Sequence, residues 1–174
     1  MVIIRREEGG DLDESAQVTE EAFRSMKQSS HTEQFITNAL RRNGLLSVSL
    51  VAVDSESNKI IGHVAVSPVT VEGQETKGLF GLGPLSVLPS HQRCGTGSQL
   101  VNAALEALRS MSAIGCVVLG NPKFYNRFGF QHTPSLVLGI PGIPQEYFMF
   151  IHLDSSAVKP EGTVHYSSAF DATQ

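Results

Sequence analysis

The chain predicts an α/β fold built on a mixed sheet, and three features predict it. Apolar strand-like runs alternate with two early helices and one long later helix. Three of those runs follow one another through short polar turns, which favours antiparallel hairpins. The long helix then links two apolar runs, and such a crossover makes the strands it joins parallel.

Residues 2–6 read as a first strand. Leu12, Ala16, Thr19, Phe23 and Met26 recur at helical spacing, with Asp11 and Glu14 in capping-box positions. A second helix is predicted from about Ser30 to Asn43, with Ser30 and Glu33 at its start, Phe35, Ile36, Ala39 and Leu40 inward, and Gly44 at its end. Strands near 47–54, 59–72 and 77–88 form an antiparallel meander. The long helix spans about 96–112 and leads to a strand at 115–120. Strands near 130–138 and 146–153 complete the sheet in this reading, and residues 155–174 read as a C-terminal tail.

Composition bounds the function. The chain has 174 residues, enough for one domain with its own core. A net charge of -4 leaves no basic footprint for nucleic acid. No apolar run approaches a membrane span, so no membrane partner is expected and a cytoplasmic setting follows. Cys94 and Cys116 lack metal-ligand spacing and the histidines are scattered, so no metal is expected.

The segment Gln92-Arg93-Cys94-Gly95-Thr96-Gly97 lies between the strand Leu85–Leu88 and the long helix. Two glycines permit a sharp turn and leave the first helical amides uncovered. Those amides have no intrahelical acceptor and sit at the positive end of the helix dipole, which suits phosphate oxygens. A Walker loop would need a lysine, and a dinucleotide fingerprint a third glycine and a distant acid; this loop has none of these.

Gln/Arg-x-x-Gly-x-Gly/Ala at such a junction resembles the acetyl-CoA pyrophosphate loop of the GNAT acetyltransferases. Val87-Leu88-Pro89 precedes it at the family's spacing, and Tyr125 stands four residues before Gly129-Phe130. Gly83-Pro84-Leu85-Ser86-Val87, Val118-Leu119-Gly120-Asn121-Pro122 and Arg127-Phe128-Gly129-Phe130 are similar to stretches of the bacterial YhbS-type members. The likeness covers roughly residues 2 to 153, within a GNAT domain drawn here as 1–154.

The resemblance implies a V-splayed sheet and an N-acetyltransferase that moves an acetyl group from acetyl-CoA to a primary amine, without a metal. Arg93, Cys94, Gly95, Thr96, Gly97 and Ser98 would hold the pyrophosphate, and backbone groups of Leu85 and Val87 the pantetheine arm. Asn121 would contact that arm or simply cap a helix. Tyr125 would protonate the departing thiolate, although an aromatic core cluster with Phe124, Phe128 and Phe130 also explains it. Pro84 removes a ladder donor and marks where the sheet would open. Arg127 reads as a solvated surface residue.

The strand entering the loop departs from a common family pattern. Many members carry a glutamate there, whereas Phe80-Gly81-Leu82-Gly83-Pro84 holds no titratable group. His63, Glu33 or a water chain stand as alternatives for the base. The same absence keeps open a catalytically idle domain that binds acyl-CoA as a sensor or interaction module. The acceptor is either a small-molecule amine or a protein amine, the acyl chain length is open, and a homodimer is compatible with the family.

Overall fold

A computed structural model describes residues 1–75 and 77–174. A six-stranded sheet runs in the order β1 (Val2–Arg6), β2 (Val48–Asp54), β3 (Lys59–Pro68), β5 (Leu79–Val87), β6 (Gly115–Leu119), β8 (Phe148–His152). Its neighbours are antiparallel except β5 and β6, which the crossover helix α3 (Thr96–Ser110) makes parallel. Meander, crossover and mixed sheet therefore match the pattern of apolar runs.

The sheet divides two layers. On one face α3 buries Leu100, Val101, Ala104, Leu105 and Leu108 against Leu50, Ala52, Val64 and Val118. Gly62 of β3 makes room there, since a Cβ on it would meet Leu100 Cδ1 at 3.0 Å. On the other face lie α1 (Leu12–Phe23) and α2 (Glu33–Arg42), with a three-stranded sheet beside them. That small sheet joins β4 (Thr70–Val71), β9 (Gly162–His165) and β7 (Leu136–Leu138). Val69, Val71, Leu136, Leu138 and Val164 pack there against Val117, Phe148 and Phe150 of the main sheet.

Five details differ from the sequence pattern. The strand expected near 130–138 does not complete the main sheet. Gln131 makes one bridge to Phe150, and the chain then turns at Thr133-Pro134 and enters the small sheet. Proline carries no ladder donor, and a tight turn from Thr133 O to Leu136 N redirects the strand. The strand expected over 59–72 ends at Pro68, and β4 leaves for the small sheet. In α1 the buried positions are Ser15, Val18, Thr19 and Ala22; of the predicted stripe only Thr19 is among them, Leu12, Ala16 and Phe23 are half-buried, and Met26 is exposed beyond the helix. The sheet beneath α1 presents His63 and Ser86, so small and hydroxylated residues fit there better than large apolar ones. The capping box is formed by Glu8 and Asp11, and α2 begins at Glu33, which bonds Ser29 rather than Ser30.

Residues beyond 155 build into this architecture. β9 is the central strand of the small sheet, and the 3-10 turn Ser168–Asp171 buries Ala169 with Ile36, Ala39 and Leu40 of α2. Tyr166 lies over Gly81 of β5 and packs at a tilt against Phe170, with ring centroids 4.7 Å apart.

Candidate active site

The main sheet opens between β5 and β6. Their parallel register runs from Leu79↔Gly115 to Leu82↔Val118 and ends there. The Gly83–Pro84 peptide is cis, and opposite it the β3 register shifts between Val64 and Val66. Pro84 thus sits at an irregularity of one ladder and at the end of the other. β5 continues along β3 to Val87, leaving its far side without a strand. Leu88 N donates to Ile61 O at 2.9 Å on the β3 side. Strand alternation then turns the N–H groups of Leu85 and Val87 into the gap.

The gap leads directly to the start of α3. After a 3-10 turn at Pro89–His91, Arg93 has φ 61° and Gly95 φ 88°, which bring the chain round into the helix. Gln99 is the first residue whose N–H reaches back in helical fashion, to Gly95 O at 3.0 Å. Thr96, Gly97 and Ser98 occupy the first three helical positions, so their amides have no intrahelical acceptor. Among the described residues, the N–H groups of Arg93, Cys94 and Gly95 have no backbone acceptor either. Six consecutive amides are free where the dipole is positive.

Side chains tie this cradle to its surroundings. Gln92 Nε2 donates to Val87 O at 3.0 Å, fastening the loop to the end of β5. Gly97 lies between Val87 and Phe124, where a Cβ would stand 3.7 and 3.5 Å from their nearest atoms. Arg93 and Cys94 are exposed, and Cys94 Sγ points to Gln92 O at 3.4 Å. Arg127 is exposed but not detached. Its guanidinium lies 4.7 Å from the Phe124 ring centroid, and Nη2 is 3.4 Å from Ser98 Oγ.

Beyond β6, the short helix α4 (Pro122–Tyr125) fixes the phenol. Asn121 Oδ1 accepts from Lys123 N at 2.9 Å, so its side chain acts as a helix cap. Tyr125 is buried edge-on against Phe124 and Phe130, with centroids 4.9 and 5.8 Å away. Gly120 gives the ring its place, because a Cβ there would meet Tyr125 Cε2 at 2.5 Å. Burial, then Cys116, raises the affinity of the phenol for its proton, so it is protonated at neutral pH. The phenol is therefore both a packed core group and a retained proton donor.

A second polar cluster lies on the opposite face, beneath α1 and α2. Glu7 N donates to Ser49 O at 3.0 Å as β1 ends, bringing the Glu7 carboxylate beside β2. That carboxylate is buried and accepts from Ser15 Oγ, Arg41 Nη2 and Ser49 Oγ. Ser49 Oγ is in turn 2.8 Å from His63 Nε2. Burial opposes ionisation of Glu7, but Ser15, His63, Ser49 and Arg41 outweigh it and hold the carboxyl below its ordinary value. Burial lowers His63 to about 4, with Glu7 acting against that and Arg41 with it. The imidazole is neutral at pH 7. Ser15, Thr19, Gln34, Thr37, Asn38, Arg41 and His63 line a cleft here too narrow to admit a water molecule.

Of the two residues weighed as base, His63 lies in this cleft, and Glu33 is outside its lining. Glu7 and Ser49 escape a sequence reading, although a serine and a histidine inside the apolar runs Val48–Val53 and Ile60–Val66 were their visible trace. Among the described residues, no three His, Cys, Asp or Glu side chains gather as for a metal, and no helix is long and apolar enough to cross a membrane.

A sheet splayed beside an amide-lined helix start defines the class as a GNAT fold, and comparisons agree. The acetyltransferase (GNAT) domain description matches residues 47–132. A GNAT family acetyltransferase from Brucella melitensis, solved with acetyl-CoA, is 40% identical; the match covers 98% of this chain and 99% of that one, at TM-score 0.84. The GNAT family N-acetyltransferase YhbS of Escherichia coli, solved with CoA, is 32% identical over 99% of this chain and 93% of that one, at TM-score 0.86. In sequence, the uncharacterized N-acetyltransferase YhbS of E. coli K12 is 38% identical over 102 residues, 59% of this chain and 60% of that protein. The aligned stretch thus spans less than two thirds of that relative. The chain belongs to the GNAT acetyltransferase family.

Proposed function

We propose that the protein transfers an acetyl group from acetyl-CoA to a primary amine by direct attack. One observation carries this reading: two strand amides free in the gap are continuous with six free amides at the start of α3. Such a track suits a ligand with an amide-bearing arm and a pyrophosphate, and the Brucella and E. coli relatives were solved with acetyl-CoA and CoA.

In this reading Arg93, Cys94, Gly95, Thr96, Gly97 and Ser98 hold the pyrophosphate through backbone N–H groups. Leu85 and Val87 hold the pantetheine arm, and the Val87 amide polarises the thioester carbonyl. The amine nitrogen bonds to the carbonyl carbon and gives up one proton to solvent, the carbon–sulfur bond breaks, and the thiolate takes the Tyr125 proton, which solvent restores. Asn121 caps α4 and so positions Tyr125. The setting is cytoplasmic, consistent with Cys94 and Cys116 as free thiols.

Thermal unfolding with acetyl-CoA, CoA, ATP and NAD tests the reading. A ligand at about 100 times its Kd stabilises by about 2.7 kcal/mol, which raises Tm by roughly 5–10 °C in a domain of this size. A rise with both CoA species alone is expected; no rise with either overturns the proposal. The segment Phe80–Pro84, without a titratable side chain, favours a second reading, an idle acyl-CoA sensor. Binding without turnover across a panel of primary amines would select it.

A further inference from the structure

We infer that Arg127, outside the glycine loop, supplies the cation of the nucleotide site and binds a phosphate group of CoA beside Ser98. This rests on the acyl-CoA reading proposed above. The charge balance of the cradle comes first. Its six free amides are neutral donors, and the start of α3 adds only a partial charge. The chain as a whole carries -4, a field that disfavours a polyanion unless a cation stands close by. Gln92, which opens the loop, brings no charge, and its Nε2 is spent on Val87 O at 3.0 Å.

Arg127 brings charge and is already held. Its Nε donates to Phe124 O at 3.1 Å, and its guanidinium rests on the Phe124–Phe128 pair, 4.7 and 5.4 Å from the ring centroids. Among the described residues, no carboxylate pairs with it. A guanidinium has five N–H groups; with one on Phe124 O and one directed to Ser98 Oγ at 3.4 Å, the other three are open to a ligand. Ser98 Oγ accepts in that contact and so keeps its own proton to donate. The amide and hydroxyl of Ser98 and the fork of Arg127 thus stand side by side, a donor set suited to a phosphate. Because the rings and Phe124 O fix the side chain beforehand, binding need not pay for ordering it.

The order of residues along the site gives the place of that phosphate. Gly97 lies between Val87, at the end of the gap, and Phe124. Ser98 comes next on α3, and Arg127 lies over Phe124 on the other side. An anionic chain leaving the gap over Gly97 therefore meets Arg127 after it has passed the loop glycines. In CoA both the pyrophosphate and the ribose 3′-phosphate lie at that end, and either offers the same oxygens to the fork.

Calorimetric titration of the full chain with CoA and with dephospho-CoA, at low and high salt, tests this. Arg127→Gln should weaken CoA by roughly 5-fold at low salt, the upper end for an exposed ion pair. High salt should shrink the loss, and Arg127→Lys should restore part of the affinity. An equal loss with dephospho-CoA supports the inference and identifies the pyrophosphate; a loss with CoA alone supports it and identifies the 3′-phosphate. Unchanged affinity for both ligands overturns it. A loss that neither salt nor lysine alters also overturns it, since Arg127 would then only brace α4. Failure of CoA to bind the unaltered protein overturns the acyltransferase reading as well.

Discussion

Thr19 Oγ1 and Ser86 Oγ lie 2.9 Å apart in the buried interior, joining α1 to the strand that borders the gap. Thr19 donates its proton to Ser15 O at 3.0 Å, so the shared proton comes from Ser86. Thr19→Val should cost about 1 kcal/mol, since Ser86 keeps a poorer acceptor in His63 O at 3.4 Å. Urea unfolding of the two proteins measures it, and unchanged stability would dismiss the link.

Gly81, in the paired part of β5, and Tyr166 form a second close contact. A Cβ on Gly81 would stand 2.7 Å from Tyr166 Cε1 and 3.0 Å from Val69 Cγ1. Gly81→Ala should destabilise by about 1–3 kcal/mol through overpacking. Combined with Tyr166→Leu the loss should be less than the sum of the single losses, a coupling that a double-mutant cycle reads directly.

Removing only the hydroxyl of Tyr125 separates the packing of its ring from the proton transfer proposed for it. Tyr125→Phe keeps the ring against Phe124 and Phe130, so stability should change by less than about 1 kcal/mol. Turnover should fall by about 10²-fold or more while CoA still raises Tm. Gly120→Ala, which displaces the ring, should reduce turnover as well but also lower Tm. Full activity in Tyr125→Phe would remove the phenol from the chemistry.

Stability should fall as the solution is acidified, in two windows. His63 has a folded value near 4, below its ordinary 6.5, so between these values the unfolded chain binds the extra proton. Stability is therefore fully present above pH 6.5 and is lost progressively toward pH 4, by on the order of 3 kcal/mol. Glu7, held below its ordinary value, contributes stability that is lost at lower pH still, as its folded carboxyl protonates. His63→Gln should flatten the upper window and leave the lower one, as followed by unfolding at a series of pH values.

Arg127 should matter to ligand binding through charge. With its guanidinium over Phe124 and near Ser98, Arg127→Ala should weaken CoA several-fold, Arg127→Lys less, and added salt should narrow the difference. Equal affinities at low salt would return Arg127 to the solvated surface.

What a sequence can disclose here follows from how local each feature is. The cradle needs only a strand, two glycines and a helix start, all within Leu85–Leu108, and the meander needs only alternation and polar turns. The small sheet was illegible because its strands are two to four residues long and draw on segments near 70, 137 and 164. The Glu7–Ser49–His63 chain was illegible for a similar reason. Its members are 42 and 14 residues apart, and only the pairing of three strands brings them together. Arg127 looked like any exposed cation until α4 set it beside Ser98.

The sheet also acts as a partition. With α3 on one face and the Glu7–Ser49–His63 chain on the other, a substitution in that buried polar chain should lower stability and leave the amide track at the start of α3 in place, so that CoA still raises Tm.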